Sequence, residues 1–233
     1  MSKLIIAGKG TGWEEAPEDP SLEIWGVNDY FLAKPNCKMV WEMHDFTWSV
    51  EDLIRHRVAV RGNSEKGGDT YLRALNQHIY FKKKAEIINE HSIPLMTSGG
   101  IYDENNLVHG MTIPTSMEYP LAAVIHKICA GRMYLVGTIS YMMAYALLLD
   151  KWDHWEVYGC NLEAGEEWAY QRPCTEWLAG KAEERGIKID VIGSMTHLLH
   201  SPRDMLYGYI NTYPDMRPKE KAPRQKLKIW YPS

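Results

Sequence analysis

The stretch Met133–Asn161, MYLVGTISYMMAYALLLDKWDHWEVYGCN, decides how the chain is read. Met133–Val136 is a short apolar run expected to form a strand. Gly137-Thr138-Ile139-Ser140 then turns the chain into an apolar helix expected to reach about Leu149. Glu156–Gly159 re-enters as a second strand, ending at the polar pair Cys160-Asn161. Parallel strands need such a helical crossover, and crossovers within one sheet are right-handed. The helix start, with Thr138 and Ser140, is thereby expected at the carboxyl edge of the sheet. Ligands of open α/β sheets bind at that edge, and the free N–H groups of a helix start favour anions.

The same grammar recurs along the chain. Lys3–Ala7 is a β-rich apolar run of the kind that begins a buried parallel strand. It runs into Gly8-Lys9-Gly10-Thr11-Gly12, whose glycines permit positive φ and close backbone approach. Such a loop can wrap a phosphate or a sugar with its N–H groups, or serve as a plain glycine turn. It has neither the P-loop spacing nor a full GxGxxG. Ile24–Val27 reads as a strand stopping at Asn28, and Met39–Trp41 as one stopping at Glu42-Met43-His44-Asp45. Ile93–Met96 and Ile187–Ile192 are further strands.

Helices are expected at Val50–His56, over Tyr71–Glu90 as one or two segments, from about Met117 to Cys129, and from Pro173 to Arg185. Thr115 or Ser116 is the expected N-cap of the third, with Glu118 in its first turn. Val58–Thr70 and Ser98–Gly110 read as loops, the latter long enough to suggest a lid. Strands alternating with helices predict an α/β, Rossmann-like fold, with a mostly parallel sheet and helices on both faces. The organisation expected is a nucleotide-binding domain over residues 1–200 and a basic, Pro-rich extension over 201–233.

Composition narrows the class. With 233 residues, 45% hydrophobic and 24% charged, the chain can bury a proper core. A formal charge of −4 argues against a generally basic nucleic-acid-coating surface. The longest apolar run, near Tyr141–Leu149, is far below the roughly 20 residues of a membrane span. The opening lacks a leader pattern, and four scattered cysteines without a CxxC pair are expected to be reduced thiols in a cytoplasmic protein. Nine Trp and 14 Tyr against three Phe suit a stacking pocket as well as a core.

Several of these residues carry a resemblance. IIAGKGTGWEE followed by IWGVNDYF resembles the opening of bacterial CMP-sialic-acid-dependent sialyltransferases. GTISYMMAYALLL followed by YGCN resembles their later Thr/Ser-Gly turn, apolar helix and strand. The same broad Rossmann-like group includes the hydroxymethylpterin pyrophosphokinase-like proteins. EEWAYQRPCTEWLAGKAEERGIKID is similar to bacteriophage proteins loosely called glycosyltransferases. The resemblance implies that Gly8, Lys9, Gly10 and Thr11 sit against a nucleotide and that Asn28 touches its phosphate. It implies further that Thr138 and Ser140 meet phosphate or ribose, with Asn161 at the place of the family's acidic residue; Tyr170, Gln171 and Arg172 are further candidates for the nucleotide site. The chain departs from it at Lys9 and Asn161, which stand for an Asn and an acidic residue, and in having no His near Ala169-Tyr170-Gln171.

The chemistry so implied is glycosyl transfer from a nucleotide sugar as co-substrate. It needs charge stabilisation on the leaving phosphate and a base for the acceptor hydroxyl. The fork of Arg172 matches phosphate oxygens. His44 beside Asp45 is the best-placed histidine for the base, and Glu167, with Glu163 and Glu166, the alternative. A modified nucleic-acid base or a glycan is the expected acceptor. Mg²⁺-dependent pyrophosphoryl or nucleotidyl transfer and non-catalytic nucleotide sequestration are the competing readings. A homo-oligomer is compatible with all three.

Overall fold

The computed structural model describes residues 2–43, 51, 55, 67–98, 112–162, 167–193 and 198–199. The chain divides into two compact units, Met1–Leu198 and Leu199–Ser233. Everything below concerns the first; apart from Leu199 the second, with the Pro-rich extension, lies outside the described residues.

Seven strands form one sheet: β1 (Lys3–Ala7), β2 (Glu23–Val27), β3 (Met39–Glu42), β4 (Leu95–Thr97), β5 (Ser116–Glu118), β6 (His154–Tyr158) and β7 (Lys188–Ile192). Their order across the sheet is β5-β4-β3-β2-β1-β6-β7, and every neighbouring pair is parallel. The helices are α1 (Tyr30–Ala33), α2 (Gly67–Glu90), α3 (Leu121–Lys127), α4 (Thr138–Leu149) and α5 (Arg172–Glu184). This is a Rossmann-like α/β fold.

The apolar run of β1 shows why the sheet is sandwiched. Leu4 and Ile6 join Trp25, Trp41, Met96, Trp155 and Val157 beneath α3, α4 and α5. Ile5 and Ala7 join Ile24, Val40 and Leu95 on the opposite face, against Tyr30 and Phe31 of α1 and Phe81, Ala85 and Ile88 of α2. A strand buried on both faces has no use for polar alternation, so all four residues are apolar and inaccessible to solvent. The aromatic surplus is spent in the first of these cores. Trp25 packs on Trp41 (ring centroids 5.1 Å apart), Tyr145 (5.8 Å) and Trp152 (5.0 Å).

Four expectations are corrected. Met133–Val136 forms no strand, and Met133 is 80% exposed. Both edges of β1 are already taken by β2 and β6, and both edges of β6 by β1 and β7, so the run has no ladder to join there. Tyr134 and Leu135 pack on the α4 side of the core instead. Ser116 does not cap a helix: Ser116–Glu118 pairs with Leu95–Thr97 as β5. Pro120 disfavours helical backbone at Tyr119, so the helix begins only at Leu121. Gly67–Thr70, expected in a loop, opens α2, which runs unbroken to Glu90. The connection from β5 to β6, carrying both α3 and α4, therefore crosses the sheet from one edge to the far side of β1. The expected Val50–His56 helix and, after Ser98, the expected lid lie outside the described residues, save Glu51 and Arg55.

Candidate functional site

The order of the sheet creates the site. From β1 the chain steps outward through β2 to β5, then returns to place β6 on the other flank of β1. Adjacent strands whose connections leave in opposite directions open a crevice beyond their carboxyl ends. A cavity of about 390 Å³ lies there, within the range of small-molecule sites. It is lined by Gly8, Lys9 and Gly10 after β1, Val27 and Asn28 at the end of β2, and Gly159–Leu162 after β6. Gly137, Thr138 and Ile139 at the start of α4, with Gln171, complete it.

The glycine loop does different work from that expected. The Gly8 N–H donates to the Tyr158 carbonyl at 2.8 Å, and the Gly10 N–H to the Gly159 carbonyl at 2.7 Å. Both are committed to zipping the loop onto the end of β6, so neither N–H is offered to a phosphate. A Cβ on Gly8 would lie 2.3 Å from the Gly159 carbonyl oxygen, which is why only glycine fits. Gly159 answers with a φ of +58°, and a Cβ there would lie 2.6 Å from Trp13 Cβ and 2.8 Å from the Gly10 carbonyl oxygen. The glycines are the price of bringing two chain segments into backbone contact at the floor of the cavity.

The start of α4 is arranged otherwise. Gly137, with φ +87°, turns the chain into the helix without a side-chain cap. Its carbonyl accepts from the Ser140 N–H at 3.1 Å and from the Ser140 hydroxyl at 2.7 Å. Ser140 is fully buried, its hydroxyl donates within the helix start, and it is not among the residues lining the cavity. Thr138 lines the cavity half-buried, at the positive end of a 12-residue helix. The Gln171 amide packs over Gly137: a Cβ there would sit 2.4 Å from Gln171 Oε1. Gln171 itself ends a π-helical turn, Glu167–Gln171, that runs into α5.

Two amides and one cation border this floor. Asn28 adopts φ +52°, donates its N–H to the Trp41 carbonyl at 2.8 Å, and keeps a buried Oδ1 with no partner. Asn161 Oδ1 is likewise buried and unpartnered, beside Gly10. Lys9 Nζ lies 2.7 Å from Asp29 Oδ1 and 5.9 Å from the Trp13 ring. Burial pushes the Asp29 carboxyl up, but hydrogen bonds from Lys9 and the Tyr80 hydroxyl outweigh it and hold the group below its ordinary value. The buried Cys160 thiol is pushed up to about 12, which makes it an unreactive wall.

Other expected contacts fall elsewhere. Thr11 is exposed and does not line the cavity. Tyr170 is 61% exposed and also outside the lining. Arg172 is buried and is not among the residues lining the cavity, and its Nε donates to Glu176 Oε1 at 2.7 Å, an i,i+4 pair along α5. His44 and Asp45 lie outside the described residues, as do Glu163, Glu166 and the side chain of Glu167. Gly137 and Gly159 line the cavity though neither is among the expected contacts, and Asp29, outside the lining, pairs with Lys9. The signal for each was present as a Gly or an acidic residue immediately flanking a strand end or helix start. Among the described lining residues the side-chain oxygens are amides and one hydroxyl, with no carboxylate to hold Mg²⁺.

No family model matches the chain, and no curated protein matches it. A solved structure similar to it is the sialyltransferase CstII from Campylobacter jejuni, in complex with a substrate analogue, cytidine-5'-monophosphate. The match covers 84% of this chain and 81% of that one at 14% identity, with a TM-score of 0.40. At that level the likeness assigns nothing to this chain. Among the described residues no helix is long and apolar enough to cross a membrane.

Proposed function

We propose that the cavity beyond β1 and β6 binds the nucleotide of a nucleotide sugar and that the protein is a glycosyltransferase. One observation carries the nucleotide reading: a crevice of about 390 Å³ at the switch of strand order, entered by the N-terminus of α4. Helix starts of that kind favour the charge of a phosphate. Thr138, the two half-buried amides of Asn28 and Asn161, and Lys9 add donors and acceptors suited to phosphate and ribose. The glycosyl step comes from the sequence motifs. In it an acceptor hydroxyl attacks the anomeric carbon as the phosphate leaves, and the α4 start stabilises the charge that develops. His44, two residues past β3, is proposed as the base, with Glu167 as the alternative. A glycan or a modified nucleic-acid base is the proposed acceptor.

A thermal-shift screen with nucleotides and nucleotide sugars, with and without Mg²⁺, tests this. A nucleotide sugar at a hundredfold excess over its Kd is expected to stabilise the full-length protein by roughly 2.7 kcal/mol, and its bare nucleotide at the same concentration by less. Binding without turnover in the presence of any acceptor favours sequestration. Abolition of turnover by chelator favours the Mg²⁺-dependent alternative. Absence of any nucleotide shift overturns the site.

A further inference from the structure

Lys9 is the one cation among the described residues of the cavity lining, and it is already paired. Its partner Asp29 sits at the end of β2, next to the lining residue Asn28. The pair joins the loop after β1 to the loop after β2, at 2.7 Å and with both side chains part-exposed (39% and 28%). Tyr80, from α2, donates its hydroxyl to the same carboxylate. The carboxylate is therefore held from two sides, by an ammonium and by a phenol carried on a separate helix. A residue placed so deliberately beside the site of an anion invites an electrostatic explanation, because a carboxylate repels the group that the α4 start attracts.

We infer that Asp29 is a charge counterweight that keeps the cavity mouth near neutral and so sets how strongly the site discriminates ligands by phosphate charge. The inference rests on the nucleotide reading of the cavity. With Lys9 paired to Asp29, the net attraction for an anion comes from the helix start and the amides. Each further negative charge meets the attraction of Lys9 and the repulsion of Asp29 together, and the two largely cancel. The consequence for transfer is direct. A nucleotide released from its sugar carries more negative charge on its terminal phosphate than it did as the sugar ester. A carboxylate beside that phosphate weakens the product more than the donor and so favours release.

The test is calorimetric titration of full-length wild type, Asp29→Asn, Asp29→Ser and Lys9→Met. The probes are adenosine, cytidine, guanosine and uridine with their mono-, di- and triphosphates. Both Asp29 variants are expected to bind nucleotides more tightly, the gain growing roughly two- to fivefold with each further negative charge, while nucleoside binding stays unchanged. Lys9→Met is expected to lose affinity in the same order. An equal change for mono-, di- and triphosphate, or weaker binding by both Asp29 variants, overturns the counterweight and leaves the nucleotide site standing. Failure of the wild type to bind any nucleotide overturns the site and the counterweight together.

Discussion

Two glycine-bearing turns face one another across the cavity, and they use glycine for opposite ends. After β1, Gly8 and Gly10 bring the loop so close to β6 that their N–H groups are consumed by the Tyr158 and Gly159 carbonyls. Before α4, Gly137 supplies a positive φ that lets a helix begin with its first turn facing the cavity. The first turn builds a floor; the second leaves a charged helix end open. Glycine in a loop at a strand edge is thus no sign of a phosphate cradle until the partners of its N–H are known.

This contrast can be broken experimentally. The largest effect is expected from Gly8→Ala, whose Cβ would meet a carbonyl at 2.3 Å with no flexible group to give way. A loss of about 3 kcal/mol in denaturant unfolding is expected, at the upper end of ordinary overpacking. Gly137→Ala should cost less, about 1–2 kcal/mol, because its strain is a backbone φ of +87° and the neighbouring Gln171 side chain can move. It should, however, weaken nucleotide binding in titration, whereas a Gly137→Ala protein with unchanged affinity would place the ligand elsewhere. Thr138→Ala removes a lining hydroxyl without touching the core. Stability should hold within about 0.5 kcal/mol, and nucleotide affinity should fall by roughly three- to tenfold, the loss of one hydrogen bond.

The smallest effect lies away from the cavity and serves as a reference. Glu156 on β6 is pushed up by burial, but Lys3 at 2.5 Å and the Tyr158 hydroxyl at 3.0 Å hold it below its ordinary value of 4.5. A carboxyl depressed on folding contributes stability that is fully present above the unfolded value and is lost as pH falls through the folded one. The stability difference between wild type and Glu156→Gln should therefore be constant at neutral pH and shrink below about pH 4.5. Nucleotide affinity should not change. A shift in affinity would mean that β6 transmits strain to the cavity floor.

Much of this was legible residue by residue. β1 was read from an apolar run because a strand covered on both faces has no polar alternation to confuse it. Thr138–Leu149 reads as a helix because a glycine turn leads into an apolar run long enough for three helical turns, followed by a strand that a crossover must reach. Met133–Val136 misled for the converse reason. Its composition suits a strand, but a strand needs a free edge, and edges are counted over the whole sheet. Ser116 misled because a cap and an edge-strand start share the same small polar residue. Arg172 and Ser140 have side chains with the chemistry a phosphate site needs, but the Arg172 Nε is bonded to Glu176 and the Ser140 hydroxyl to the Gly137 carbonyl, and neither residue lines the cavity.

By itself the sequence determined the class of fold, a mostly parallel sheet, and that strand ends carrying glycine and asparagine would meet a helix start carrying threonine at one edge. Local propensity and burial period are enough for that, because each acts over a few residues. Only the tertiary structure decided which hydrogen-bonding groups are left over at that edge. The Gly8 and Gly10 amides are bonded at the end of β6, the Ser140 hydroxyl within its own helix start and the Arg172 Nε to Glu176, while Thr138 and the amide side chains of Asn28, Asn161 and Gln171 line the cavity and Lys9 is held by Asp29. A hydrogen bond is a contest among partners brought together from distant parts of the chain, and the winner is settled by where the backbone puts them.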